Sequence, residues 1–298
     1  MSEIVEGARE SEGARERADG RERGGRARAR PGTASGGALR GAARAVRRSA
    51  AFWYAVAVLL VVGVWQGIIV VAGTPDYLLP SPRQVLSAMA EYREPLLSEG
   101  LVTLGEILLG FAISAVAGIA LAVPIAFSRA VERLAYPLLV MSQAVPKIAL
   151  GPLFIVWFGF GLTTNVVIAV SVAIFPVIVN TALGLSSIDP DLVRLGRSMG
   201  ASRWRLFRLV RLPTALPSVL AGLKVASTLA VIGVVVGEFI VGGAGLGYLT
   251  ISASGNQNVP LLFACVICLA VLGVAVFAVL DLLERVLLRR HAVARSRG

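Results

Sequence analysis

Lys147 and Glu238 stand inside apolar stretches of this 298-residue sequence, where an ionisable side chain is costly and is a functional candidate by default. Lys147 directly follows Pro146, and proline removes a backbone hydrogen bond and kinks a helix. Glu238 lies in Val-Gly-Glu-Phe-Ile, near the end of another apolar run. Two kinds of chemistry are open to them: an ion pair with each other, or the lining of a water-filled pathway. Against these stands the reading that Lys147 snorkels and Glu238 reaches the interface, and the two readings weigh evenly. Glu106 and Asp281, nearer the ends of their runs, are expected at the interface, and Lys224 is expected to snorkel.

Hydrolytic and redox constellations are absent from the sequence. His291 is the one histidine and lies in the basic C-terminal tail, so multi-histidine metal clusters are excluded and a Ser-His-Asp triad is implausible. Neither lysine, Lys147 nor Lys224, closes a Gly-x-x-x-x-Gly-Lys-Ser/Thr phosphate loop. Cys265 and Cys268 share one helix face in an apolar run and are expected to be packing residues. The chain itself is therefore not expected to be an enzyme, nor to hold a metal or cofactor of its own. If ATP drives it, ATP and Mg2+ bind another subunit.

A third pattern points to a partner. Between two apolar runs lie Arg194, Arg197, Arg203, Arg205, Arg208 and Arg211, in a segment ending at Pro213. Asp189 or Asp191 suits the start of a short helix with Leu192, Val193, Leu195 and Met199 on one side. Gly200 permits a sharp turn. In a second helix, at about 100° per residue, Leu206, Phe207, Leu209 and Val210 gather on one face, and Arg205, Arg208 and Arg211 lie opposite with Trp204. Pro213 and Pro217 steer the chain onward. Such a hairpin either rests on lipid headgroups or docks into a groove on a soluble subunit, and its geometry alone leaves both open.

The elements that must position these residues are membrane spans. The composition is 56% hydrophobic and 16% charged, with mean hydropathy +0.77, far from the balance of a soluble domain. Six apolar stretches are expected to be helical spans: 51–72, 101–127, 134–158, 166–185, 216–241 and 261–283. The net charge of +11 is uneven. Basic residues crowd the first fifty residues, the connection between the second and third spans, the arginine loop and the C-terminal tail. The alternate loops, at 74–100, 159–165 and 242–258, are poor in positive charge. The positive-inside rule then places both termini and the arginine loop in the cytoplasm of a multi-pass inner-membrane protein surrounded by lipid. Residues 1–49 are expected to be a disordered basic tail that fixes topology rather than a nucleic-acid binder. A six-helix transmembrane domain follows over 50–290, with its cytoplasmic loop at 186–214, and 291–298 form a short basic tail. Pro75 to Pro82 is expected to be extended or turned, and 84–97 to form a short surface helix packing as a lid. Small residues at four-residue spacing, Gly110, Ser114 and Gly118, and Gly233 and Gly237, allow helices to approach closely.

The arginine loop resembles the cytoplasmic signature of permease subunits of binding-protein-dependent ABC importers. Gly200 takes the place of the signature glycine, and Val210-Arg-Leu212-Pro213 supplies its last element at matching spacing. Arg194-Leu195-Gly196 stands where that family has Glu-Ala-Ala. Tyr77-Leu-Leu-Pro-Ser-Pro82, Pro146, Pro152-Leu-Phe-Ile-Val-Trp-Phe-Gly159, Glu238 and Gly245-Leu-Gly-Tyr-Leu249 are similar to the nitrate/sulfonate/taurine branch, which includes importers of thiamine-precursor pyrimidines and related aromatic compounds. The resemblance covers about Tyr54 to Leu288. It implies an all-α, six-helix type I importer permease working with an ABC ATP-binding subunit, an extracytoplasmic solute-binding protein and a second permease copy, here expected to be identical. It also implies that the loop is a coupling helix, for which Arg194, Gly200, Trp204, Arg205, Phe207, Arg208 and Pro213 are the candidate residues; Lys147 and Glu238 are the candidates for the pathway. A stand-alone ion-coupled transporter and a membrane scaffold or sensor are the competing readings.

Overall fold

The computed structural model describes residues 35–75 and 77–295, and among them every regular element is helical. In chain order these are α1 (Ser35–Ala72), α2 (Pro82–Glu91), α3 (Arg93–Phe127), α4 (Arg129–Ala144), a 3-10 turn (Lys147–Leu150), α5 (Gly151–Phe158), α6 (Leu162–Ser186), α7 (Pro190–Ser198), α8 (Arg203–Leu206), a π-helical segment (Phe207–Arg211), α9 (Leu212–Val241), α10 (Leu246–Gly255) and α11 (Val259–Arg295). The chain divides into two units, Met1–Val62 and Gly63–Gly298. Of the expected disordered tail, residues 1–34 lie outside the described residues. Residues 35–49 belong to α1, a correction that follows from their alanines and arginines, both strong helix formers. At the other end α11 continues to Arg295, so the expected C-terminal tail is largely its last turn, and 296–298 lie outside the described residues.

Among the described residues, four helical stretches are long and apolar enough to cross a bilayer: α3, α6, Trp204–Val241 and Val259–Leu288. Helix α4 and the segment Lys147–Phe158 pass the same test together, as a broken span or a re-entrant loop bent by 79° between Ala144 and Lys147. The shorter apolar stretch Val56–Ala72 of α1 corresponds to the first expected span. The break falls where Pro146 forbids a continuous hydrogen-bond ladder, so the expected kink is a full interruption.

Two helices were misplaced by sequence reasoning. The surface helix expected at 84–97 is α2, which starts at Pro82 and ends at Glu91; residues 93–97 already belong to α3. Its start is a capping box, with the Ser81 N–H donating to Gln84 Oε1 at 2.7 Å and Ser81 Oγ accepting from the Gln84 N–H at 3.3 Å. Within 242–258, expected to be a loop, ten residues form α10. Val85 of α2 and Leu96 of α3 are buried with Leu246 and Ala253 of α10 and Leu261, Ala264 and Cys265 of α11. The cysteines are free and pack in this cluster.

The centre of the bundle is α6, packed between α3 and α9. Small residues set these contacts. A Cβ added at Gly233 would lie 2.6 Å from the Ala169 Cα, and one added at Gly118 would lie 2.7 Å from Val177 Cβ. Backbones thus approach as closely as the four-residue repeat allows. Gly233→Val is expected to destabilise the solubilised protein by about 1–3 kcal/mol through overpacking, read as a fall in melting temperature. Gly105→Ala, at a site with nothing within 4 Å, is the control and should shift stability by no more than about 0.5 kcal/mol.

Candidate coupling loop and translocation site

The loop between α6 and α9 is built by local chemistry. Asp189 Oδ1 accepts from the Asp191 N–H at 2.8 Å and caps α7. Helix α7 ends in a turn that needs a left-handed residue, and Gly200 supplies it at φ +77°. Gly200 N–H donates to Arg197 C=O and Ala201 N–H to Gly196 C=O, both at 3.0 Å, closing the helix end. Ser202 Oγ then accepts from the Arg205 N–H at 3.3 Å to start α8. The hairpin is pinned by Leu206, buried directly over Gly196, where any Cβ would collide with its side chain. This gives Gly196 a packing role in the stretch that replaces Glu-Ala-Ala. Arg194 pairs with Asp191 at 2.5 Å on an exposed face.

The expected second amphipathic helix takes a different form. Four α-helical residues pass into a five-residue π-helical segment and then, without a break, into α9. Pro213, which has no N–H to donate, follows directly in the first turn of α9, consistent with a relaxed ladder here. A π segment changes the angular spacing, so the faces inferred at 100° per residue do not hold. Trp204 stacks on Phe207, with ring centroids 5.5 Å apart, and stays exposed. Phe207 also meets Phe127 at the end of α3, 5.6 Å away, and packs beside Leu185 and Ala215. The Arg211 guanidinium sits 4.7 Å above the Phe127 ring. Phe207 and Arg211 are thus joints within the permease. Leu195, Met199, Trp204 and Leu209 remain exposed, beside the exposed Arg205 and Arg208.

Inside the bundle the structure does not bring Lys147 and Glu238 together. Lys147, in the 3-10 turn, donates to Gln143 on α4. Glu238 is fully buried and accepts from Thr103 Oγ1 at 2.7 Å and from the Gly247 N–H at 2.6 Å. Thr103 Oγ1 in turn accepts from the Leu246 N–H at 2.8 Å, and Glu99 Oε2 accepts from the Gly245 N–H at 2.6 Å. Three successive N–H groups at the start of α10 are therefore held by side chains of α3 and α9. Carboxylates suit this place because a helix N-terminus presents unpaired donors and a positive dipole end. The glycines complete it: Gly245 stands at φ +95°, and a Cβ there would strike the Glu238 carboxylate.

The other charged residues of the spans find partners inside the bundle. Glu106 is 3% exposed, and both its oxygens accept from Asn165 Nδ2 on α6 at 3.1 Å. Lys224 is not a lone snorkelling side chain, since it pairs with Asp281, at 2.5 Å, and with Glu284. Asp281 also takes Arg285 at 2.7 Å, so it is a network member tying α9 to α11. Glu99, Thr103 and Glu106 were legible as a group, because spacings of four and three put them on one face of α3. Asn165 and Glu284 carried no such signal.

Comparison with known proteins follows this geometry. The family model of the binding-protein-dependent transport system inner membrane component matches residues 114–290. The formylaminopyrimidine transport permease protein ThiX of Halalkalibacterium halodurans is 39% identical over 231 residues, 77% of this chain and 92% of that protein. The putative aliphatic sulfonates transport permease protein SsuC of Escherichia coli is 34% identical over 235 residues, 77% and 88% of the two chains. Among solved structures, the inward-facing MetNI methionine ABC transporter superposes with a TM-score of 0.58 at 20% identity, covering 66% of this chain and 97% of that one.

Proposed function

Because this chain belongs to the family of binding-protein-dependent transport system inner membrane components, as an ABC importer permease of the sulfonate/taurine branch, we propose that two copies of it enclose the pathway for ATP-driven uptake of a small solute. A solute-binding protein delivers the cargo from outside, and a separate ATPase subunit binds ATP and Mg2+ and drives the cycle. The cargo is either an anion of the nitrate, sulfonate or taurine kind or an aromatic compound related to thiamine precursors.

The observation that carries this reading is the hairpin 186–214: a rigid, capped turn with exposed Leu195, Met199 and Trp204 and flanking arginines, in a chain whose sequence holds no phosphate loop. A soluble ATPase docking there would push on α8, which continues through the π segment into α9. Phe207 and Arg211 would pass the same displacement to α3 through Phe127. Two rigid helices then move together, as alternating access requires. The charge distribution supports a cytoplasmic position for this loop and for both termini, with the Glu238 end of the bundle facing outward.

Proteoliposomes holding the permease, its ATPase and its binding protein should accumulate solute only with internal ATP, at the face where the ATPase sits. Accumulation driven by a proton or sodium gradient without ATP would sink the reading in favour of a stand-alone secondary transporter.

A further inference from the structure

An open depression of about 400 Å3 lies at the Glu238 end of the bundle. Its walls are mostly apolar, with Phe160, Leu162 and Val241 among them, and the backbone of 242–244 forms one rim. Glu106 is the one charged residue that lines it, and Asn165 lines it beside Glu106. No lysine or arginine contributes to the wall.

The chemistry of this wall is selective. The Glu106 carboxylate has about four lone-pair positions, and Asn165 Nδ2 uses part of that capacity through both oxygens. Asn165 Oδ1 is buried with no hydrogen-bond partner in the structure, so the amide is held for what its Nδ2 does: it fixes the carboxylate. Phe160 stands exposed at the rim and offers a flat apolar face. A carboxylate in a largely apolar cleft favours N–H donors and positive charge and disfavours an anion.

We propose that this depression is a substrate-contact site for a planar, neutral or cationic nitrogen heterocycle bearing N–H donors, with Glu106 as the selecting residue and Asn165 as its positioning residue. The carboxylate accepts from ring or exocyclic N–H groups, the ring lies against Phe160, and sulfonates or nitrate are turned away. The proposal rests on the importer reading and decides between its two cargo classes.

The test uses the purified permease in nanodiscs, with saturation-transfer NMR against two probes, formylaminopyrimidine and ethanesulfonate. Wild type should bind the aminopyrimidine and not the sulfonate. Glu106→Gln, close in shape but uncharged, should weaken aminopyrimidine binding about tenfold, the scale of a lost charge-assisted hydrogen bond. Glu106→Arg should reverse the preference, a change that misfolding cannot produce. Equal binding of the two probes by wild type, no aminopyrimidine binding at all, or unchanged binding by Glu106→Gln would each overturn the proposal. Complex formation with the ATPase, measured on the same preparations, reports separately on the importer reading.

Discussion

Trp204→Asp is expected to strip the ATPase subunit from the solubilised permease while leaving the melting temperature of the permease itself nearly unchanged. Trp204 is 69% exposed, and its one recorded ring contact is the stack on Phe207. Exposed tryptophans flanked by arginines are typical anchors of protein interfaces, and losing one costs about 2 kcal/mol or more, roughly a thirtyfold loss of affinity. A carboxylate there also weakens the positive local field set by Arg205 and Arg208. Phe207→Asp should behave differently. It would place a charge between Phe127, Leu185 and Ala215, so the permease itself should melt earlier, by about 1–3 kcal/mol or more. Co-purification and thermal melting on the two variants separate the roles. Retention of the ATPase by Trp204→Asp would count against docking through this hairpin.

The contrast between Trp204 and Phe207 shows where sequence reasoning reached its limit. Asp189, Gly200 and Pro213 act locally, through capping, a left-handed turn and a missing donor, and local chemistry can be read from a sequence. The six apolar segments were legible for the same reason, since bilayer thickness sets their length. The π segment was not, because a five-residue change in helical spacing leaves no mark on composition. Helix α10 was hidden by its entry through Gly242, Gly243 and Gly245, which reads as a loop. What holds that helix is the set of contacts from Glu99, Thr103 and Glu238, more than a hundred residues away from it in the case of the first two. The partner of Glu106 was not legible along its own helix. Its burial depends on Asn165 of α6, a pairing that only the packed bundle reveals.

Glu238→Ala should lower the thermal stability of the permease by about 1–3 kcal/mol for the buried Gly247 N–H it leaves unpaired, whereas Thr103 Oγ1 keeps the Glu99 carbonyl as an acceptor at 3.1 Å. In a membrane interior no bulk water replaces the lost partner. The carboxylate also occupies space that α10 needs to remain free of side chains. Gly245→Ala should therefore destabilise twice over: its φ of +95° is strained for any residue with a Cβ, at about 1–2 kcal/mol, and the added methyl meets the Glu238 carboxylate. Combining the substitutions removes the collision and leaves only the backbone strain and the unpaired Gly247 N–H. The double variant should thus lose less stability than the two single losses added together, by about 0.5–3 kcal/mol, the range expected for residues in contact. Melting curves of the four proteins give that difference directly. Simple additivity would mean that the carboxylate does not pack on Gly245.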